Sequence, residues 1–322
     1  MTVILAVVAI LIGFAALVWS ADKFVLGASA TAYHFGVSPL LIGILIVGLG
    51  TSAPEMLVAA IAATQGNPGL AIGNALGSNI TNIGLIIGVT ALAYPLFARS
   101  RIVQRELPLV LLVTILAAAL MLDGVLDKQD GMILLIGLAG FILWSLRLAK
   151  SDPSQAEPLD DEATHMPRPT ALLWLVVGMA LLIASSRLLV WGAVTIAQAL
   201  GINDLIIGLT IIAIGTSLPE LAASLSAAKK GEYDLAFGNV IGSNLFNLLA
   251  VLAIPSLMQP GAFESNALMR DVPIMLGMTI ALWLFASNFK LFAEGSIGRI
   301  KGGILLAAYC TYLTLLVVVA LQ

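Results

Sequence analysis

The sequence predicts an all-α membrane protein of about ten transmembrane helices, arranged as two inverted five-helix repeats. Three observations predict it. The 322 residues are 60% hydrophobic and only 10% charged, with a mean hydropathy of +1.06, well above that of a chain with a polar surface. Apolar stretches of about 20 residues, the helix length that crosses roughly 30 Å of hydrocarbon, recur along the chain. The hexapeptide Gly50-Thr51-Ser52-Ala53-Pro54-Glu55 returns as Gly215-Thr216-Ser217-Leu218-Pro219-Glu220, with 220 − 55 = 165 residues between the glutamates. The apolar runs are long and continuous, which argues against a β-barrel built of short alternating segments.

The first run lies near residues 2–20. Ala28-Ser29-Ala30 resembles a signal-peptide cleavage site, but no basic residue precedes Asp22, so a retained helix is expected. Runs two and three, near 38–63 and 70–94, carry the first hexapeptide and a Gly-Asn/Gly-Ser-Asn segment. Runs four and five, near 106–122 and 131–149, flank Asp123, Asp127 and Asp130, which lack the ligand spacing of an EF-hand loop and read as a solvated cluster. Residues 150–169 hold Pro153, Pro158, Pro167 and Pro169 with Asp152, Glu157, Asp160, Asp161 and Glu162, the composition of a solvated, mobile linker. The remaining runs lie near 170–198, 203–228, 235–257, 271–288 and 302–321. The expected organisation is a first repeat over 1–149, a cytoplasmic linker over 150–169 and a second repeat over 170–322.

The duplication extends well beyond the hexapeptide. At the same offset Gly27, Gly36 and Gly43 match Gly192, Gly201 and Gly208; Gly73-Asn74 and Gly77-Ser78-Asn79 match Gly238-Asn239 and Gly242-Ser243-Asn244; Asn82 matches Asn247; and Arg105-Glu106-Leu107-Pro108 matches Arg270-Asp271-Val272-Pro273. No insertion is needed from residue 27 to residue 108; between the fourth and fifth spans the second copy gains a few residues. Five spans per copy is odd, so the second copy enters the membrane from the opposite side. The charges agree. With the N-terminus outside, inner segments hold Lys23, Arg99, Arg101, Arg105, Arg147, Lys150, Arg168, Lys229, Lys230, Lys290, Arg299 and Lys301, while outer segments hold Lys128 and Arg270 and Arg187 lies within the sixth span. Twelve against two places both termini outside. Inverted repeats with a site at their interface are a common plan of secondary transporters.

The chemistry concentrates in the repeated motifs. Pro54 lacks an N–H and clashes with the carbonyl four residues back, so the helix kinks and the Gly50 oxygen loses its backbone partner; Pro219 does the same to Gly215. Thr51 and Ser52 lie four and three residues before Glu55, which puts hydroxyls and carboxylate on one helix face, and Thr216, Ser217 and Glu220 repeat the arrangement. Ser78 and Asn82, like Ser243 and Asn247, are four apart on the following helix. Carboxylates, hydroxyls, amide oxygens and freed carbonyls are hard ligands that suit Na+ and Ca2+ rather than Zn2+ or copper. His34 and His165 lie away from these segments, and Cys310 is the only cysteine, expected as apolar filling of the last helix. Two ionised acids at mid-membrane cost several kcal/mol if uncompensated, on scales of about 2.5–3.5 kcal/mol for each. One Ca2+ or two Na+ would neutralise them, and competition for one pair of acids is a physical basis for exchange. Asn74 and Asn239 either meet an ion or satisfy freed backbone. The pairs Gly73/Gly77, Gly238/Gly242 and Gly84/Gly88 read as close helix-packing positions.

The paired motifs closely resemble the α-repeats of the calcium/cation antiporter superfamily, whose members carry GTSxPE followed by GNxxGSNxxN in both halves, here Gly50 to Glu55 with Gly73 to Asn82 and Gly215 to Glu220 with Gly238 to Asn247. Length and pattern are most similar to the compact prokaryotic sodium/calcium exchanger-like branch of YrbG type. The resemblance implies Glu55 and Glu220 as central Ca2+ ligands, with Thr51 and Thr216 giving main-chain carbonyls. It implies that Ser52, Ser78, Ser217 and Ser243 line flanking Na+ sites with backbone oxygens near Gly48 and Ala213, and that Asn82 and Asn247 sit at the centre. Some relatives have an acid at the position of Asn247, which leaves the Na+ count and K+ co-transport open. The proton-coupled branch has GNxxE in place of GTSxPE, which disfavours H+ coupling.

The function expected is therefore a secondary antiporter, not an enzyme, exchanging Na+ for Ca2+ across the cell (inner) membrane by alternating access. No cofactor is called for beyond the transported ions, and the partners are those ions and the lipid bilayer, with no nucleic acid and a monomer as the expected state. Other cation coupling, a cation channel and an intramembrane acid/base enzyme are the alternatives; inverted duplication argues against the channel, and the lack of a nucleophile-base pair or HExxH motif against the enzyme.

Overall fold

The computed structural model describes residues 2–151, 161–202, 207–263, 267–290 and 293–320. Among these, nine helices are long and apolar enough to cross a membrane: α1 (Val3–Phe35), α2 (Pro39–Thr64), α3 (Pro68–Ala93), α4 (Ile102–Leu120), α5 (Lys128–Leu148), α6 (Arg168–Ala199), α8 (Tyr233–Met258), α9 (Leu268–Ala286) and α10 (Arg299–Val319). The tenth, α7, is a bent pair, Thr210–Thr216 and Leu218–Lys229. The described residues thus form an all-α membrane protein of nine spans, or ten with the bent pair counted as one, consistent with two inverted sets of five.

Local chemistry sets the helix ends, and it does so twice. Gly36 and Gly201 end α1 and α6, and Gly66 and Gly231 end α2 and α7, all at positive φ, where a glycine closes a helix without a Cβ penalty. Ser38 and Asn67 cap the starts of α2 and α3, each followed by a proline in the first turn, where the missing N–H costs nothing. Three π-helical turns, Gly43–Val47, Asn82–Ile87 and Ile102–Glu106, recur at the 165-residue offset as Gly208–Ile212, Asn247–Val251 and Ala267–Asp271. Such turns tend to mark functional sites, and no feature of the sequence predicted them. The later match slips, because α5 begins at Lys128 and α10 at Arg299, a spacing of 299 − 128 = 171.

α1 runs past the expected end near residue 20 to Phe35. Hydropathy placed that end at Asp22 and Lys23, but both charges are accommodated: Asp22 pairs with Lys230 at 3.2 Å, and Lys23 lies over the Trp174 ring, 5.8 Å from its centroid. α1 and α6 pack on each other through Gly13 and Gly27 of α1 and their repeat mates Gly178 and Gly192 of α6. A Cβ on Gly27 would come within 2.6 Å of Leu175 N, and one on Gly178 within 2.8 Å of Phe24 Cα.

The other eight spans are tied across the repeats at both ends. β1 (Leu96–Ala98), after α3, pairs antiparallel with β4 (Gly295–Ile297), before α10. β2 (Val125–Leu126) pairs with β3 (Gly261–Ala262) at the opposite end. The first end is here called the basic face, since Arg99, Arg147, Arg168, Lys229 and Lys290 gather there by sequence; the other is the terminal face. The α8 helix fills the middle, with 89% of its most apolar window buried.

Several smaller expectations resolve. Residues 152–160, which carry most of the linker acids and Pro153 and Pro158, lie outside the described residues; the linker beyond them forms a turn over Asp161–His165 whose Ala163 packs with Leu26, Ala30 and Ala171. Asp123, Asp127 and Asp130 turn carboxylate oxygens onto the backbone N–H groups of Val125, Gln129, Asp130 and Asp127 around the start of α5. Cys310 lies on the exposed side of α10, because the face of α10 that packs inward is the one carrying Leu305, Tyr309 and Tyr312.

Candidate cation site between the repeats

Each hexapeptide sits where its helix is interrupted. α2 breaks at Ser52, and the two parts of α7 meet at 50° after Thr216. Pro54 and Pro219 occupy the first turn of the second half-helix, and Glu55 and Glu220 stand in that same turn, where exposed N–H dipoles favour a carboxylate. The carbonyl that Pro219 strips of its ladder partner, that of Gly215, receives a hydrogen bond from Ser186 Oγ on α6 at 2.9 Å. Asn74 Nδ2 donates to the main-chain oxygen of Glu55 at 3.3 Å, and Asn239 Nδ2 to that of Glu220 at 3.0 Å. Both asparagines therefore bond to main-chain oxygens of the half-helices that carry the glutamates, and not to the Gly50 and Gly215 carbonyls that the prolines free.

The two interrupted helices meet at the crossing of α3 and α8. Glu220 lies within charge–charge range of Glu55 and beside the Thr51 hydroxyl. The π-helical turn beginning at Asn82 packs on the second half of α7, and the one beginning at Asn247 packs on the second half of α2. Six buried oxygens in this region have no hydrogen-bond partner among the described residues: Ser52 Oγ, Glu55 Oε2 and Asn82 Oδ1 from one repeat, Ser217 Oγ, Glu220 Oε2 and Asn247 Oδ1 from the other. They form three pairs at the 165-residue offset. Leaving a buried acceptor unsatisfied costs on the order of 1–3 kcal/mol, more when it is charged. Six together, two of them carboxylate, make a donor set that is entirely hard oxygen and suited to a Na+- or Ca2+-class ion.

The asparagines have a defined orientation. Asn82 Nδ2 donates to Asn244 Oδ1 at 3.0 Å, Asn247 Nδ2 to Asn79 Oδ1 at 3.1 Å, and Asn79 Nδ2 to the main-chain oxygen of Asn244 at 3.3 Å. Asn79 and Asn244 are visible in the sequence as members of the repeated motif, but nothing there separates their part from that of Asn82 and Asn247. Ser186 likewise carries no sequence signal, since its repeat mate is Ala21.

The two halves of the site differ. On the basic face α2 and α8 touch backbone to backbone: a Cβ on Gly43 would meet Gly238 Cα at 2.9 Å, and one on Gly48 would meet Gly242 Cα at 2.8 Å. Thr51 Oγ1 lies 3.0 Å from Val47 O, 3.2 Å from Asn239 Oδ1 and 3.3 Å from Ser243 Oγ, and Ser243 Oγ lies 3.5 Å from Gly48 O. On the terminal face the mates are apart. Among the described residues a Cβ on Gly73 or Gly77 would meet nothing within 4 Å, so of the three expected packing pairs this one is open there, while Gly84 and Gly88 pack on Tyr309 and Leu306 as expected. Ile212 is 44% exposed where its mate Val47 is 2% exposed; Ala213 is exposed where Gly48 is buried; Thr216 Oγ1 donates within its own helix, to Ala213 O at 3.2 Å. Ser78 is buried on α3, beside this opening. His34 donates from Nε2 to Met166 O at 2.7 Å, at the linker, and His165 is exposed there.

Comparison with known proteins decides the family. The family model described as "Sodium/calcium exchanger protein" matches residues 5–147 and again 170–318. The chain belongs to the sodium/calcium exchanger family. It is 48% identical over 317 residues to CaxA of Alkalimonas amylolytica, covering 97% of this chain and 99% of that protein. It is 40% identical over 283 residues to the inner membrane protein YrbG of Escherichia coli (strain K12), covering 86% and 87%. Among solved structures, the sodium-calcium exchanger NCX_Mj soaked with 2.5 mM Na+ and 0.1 mM Ca2+ superposes with a TM-score of 0.83 at 36% identity, covering 97% of this chain and 98% of that one. This member of the exchanger family is a multi-pass membrane antiporter for cations including Ca2+, and not an enzyme.

Proposed function

We propose that this exchanger couples Na+ to Ca2+ and moves them by alternating access through one site shared by its two repeats. The observation that carries the reading is the set of six buried, unpartnered oxygens contributed in three repeat-related pairs. In this reading Glu55 and Glu220 are the central Ca2+ ligands, and Thr51 and Thr216 add main-chain carbonyls. Ser52, Ser78, Ser217 and Ser243 line flanking Na+ positions with the carbonyls of Gly48 and Ala213, and Asn82 and Asn247 face the centre. One Ca2+ or two Na+ would balance the two carboxylates. The empty, doubly charged site is the unfavourable state, and that discourages return without an ion.

The asymmetry of the halves supports the alternating-access part. Glycine-on-glycine contact closes the basic face, while among the described residues Gly73 and Gly77 on the terminal face stand clear. A pseudo-twofold exchange of these two arrangements would close the second and open the first. With the basic face cytoplasmic, as the Lys and Arg distribution favours, both termini lie outside, the linker over 150–169 is cytoplasmic, and the arrangement described is open outward. The repeats are assigned to residues 1–149 and 170–322, and one chain contains every ligand the reading needs.

The test uses vesicles loaded with Na+. An outward Na+ gradient should drive Ca2+ uptake, and dissipating the gradient with a Na+ ionophore should abolish it. Uptake unchanged without the gradient would remove Na+ coupling. Protons compete with cations for the same carboxylates, so uptake should weaken at acid pH, and equal rates at low and neutral pH would count against a titrating carboxylate pair.

A further inference from the structure

The six open oxygens include two amide oxygens, and an amide is two-faced. Turned by half a rotation, Asn82 or Asn247 would present an NH2 group to a cation and repel it. What decides the orientation is the hydrogen-bond network behind each side chain. Asn79 Nδ2 donates to the main-chain carbonyl of Asn244 at 3.3 Å, and a carbonyl accepts only, so the Asn79 amide cannot turn without setting oxygen against oxygen. Its Oδ1 therefore faces Asn247, where it receives Nδ2 at 3.1 Å. That bond leaves Asn247 Oδ1 open and buried. On the other repeat Asn244 Oδ1 receives Asn82 Nδ2 at 3.0 Å and leaves Asn82 Oδ1 in the same condition. All four side chains are 1% exposed, so water does not compete for these bonds.

We infer that Asn79 and Asn244 are positioning residues for cation binding: each holds the amide of the other repeat's ligand, Asn247 and Asn82 respectively, with its oxygen toward the ion. The inference deepens the proposed site and rests on Asn82 and Asn247 being ligands through oxygen. The cross-over has a consequence for how the repeats are coupled. Each half of the site is oriented by a residue of the opposite half, so neither repeat forms its own ligand set alone. It also gives the third residue of the Gly-Ser-Asn motif a task distinct from that of the last asparagine: the one turns an amide, the other offers it.

A double-mutant cycle tests this, because an aspartate has oxygen at both ends and does not need to be turned. Ca2+ binding to the purified, full-length protein is measured by equilibrium titration with Ca2+ alone, with thermal melting followed in parallel. Asn79→Ala should weaken Ca2+ binding on the order of tenfold in the native background, the size of one well-oriented ligand bond to a charge. In an Asn247→Asp background the same change should cost at most about twofold. The mate cycle, Asn244→Ala with and without Asn82→Asp, should behave alike and serves where one variant does not fold. Equal losses in both backgrounds, or no loss from Asn79→Ala, would overturn the inference and mark these asparagines as plain packing. Glu55→Gln, run beside them, separates the two levels. If it binds Ca2+ like the parent, the proposed site itself fails; if it does not bind and the cycles are additive, only the positioning role fails.

Discussion

At the scale of single residues the chemistry turns on carboxylates that have no neighbouring cation of their own. Glu55 and Glu220 are each 1% exposed, and the ion pairs Arg99–Asp234, Arg101–Glu106, Lys230–Asp22 and Arg270–Asp271 among the described residues involve neither. Other buried acids show the contrast. Asp271 takes two bonds from Arg270, at 2.7 and 3.0 Å, and one from Tyr312 at 3.1 Å, as a structural acid should. Replacing Glu220 by Gln removes one of two buried carboxylates that repel each other and breaks no ion pair, so the fold should hold or gain up to about 1–3 kcal/mol, while ion-dependent stabilisation vanishes. Melting with and without Ca2+ checks this: the parent should melt higher with Ca2+ and the variant should not respond. The sequence already carried Glu55, Glu220 and their hydroxyl neighbours, because a charge in an apolar run has few structural excuses. It did not carry the division of labour among the four asparagines, which depends on a contact between Asn79 and Asn244 that only the crossing of α3 and α8 creates.

At the scale of helices, the glycines make the most direct predictions. Gly242→Ala would force a methyl into α2 and should destabilise the closed basic face, by about 1–3 kcal/mol for overpacking of a close contact. Gly77→Ala meets open space and should leave melting unchanged, yet it should slow exchange severalfold if α7 must close onto α3 in each cycle. Melting and uptake measured on both variants would separate these outcomes, and unaltered exchange by Gly77→Ala would speak against that closure. α1 is held to the basic face by Asp22–Lys230 at 3.2 Å and by Ser29 Oγ donating to Glu232 at 2.7 Å. The repeat mates are Arg187 with Gln65 and Val194 with Asn67, which cannot reproduce either contact, so the basic-face closure is favoured over its counterpart. Asp22→Asn should shift the balance toward opening on that face and lower the Ca2+ concentration needed there in inside-out vesicles, relative to right-side-out vesicles; equal shifts on both faces would contradict it. The β1–β4 clip has its own pH limit. Ser100 donates to Glu294 from both N, at 3.0 Å, and Oγ, at 2.5 Å, which holds that carboxyl below the usual carboxylate range. A lowered folded value stabilises above the unfolded value of 4.5 and is lost as pH falls through the folded one, so this contact persists at neutral pH.

At the scale of the whole molecule, two copies of one unit are readable in the chain because glycines, prolines and polar residues at a constant spacing are positions that backbone geometry and ion chemistry restrict, while the apolar residues between them are interchangeable. That is why ten spans and the pairing of the hexapeptides followed from sequence. What was not legible is what breaks the symmetry. The extension of α1 past Asp22 depends on a partner 208 residues away, since 230 − 22 = 208, and the open Gly73/Gly77 surface depends on packing around α3 that the motif does not specify. The central claim is that one cation site is divided between the repeats, and equilibrium Ca2+ binding to Glu55→Gln and Glu220→Gln tests it most directly. Both variants should lose Ca2+ binding to a similar degree, and Na+ should displace Ca2+ from the parent protein; either variant binding Ca2+ with the parent's affinity would contradict a shared site.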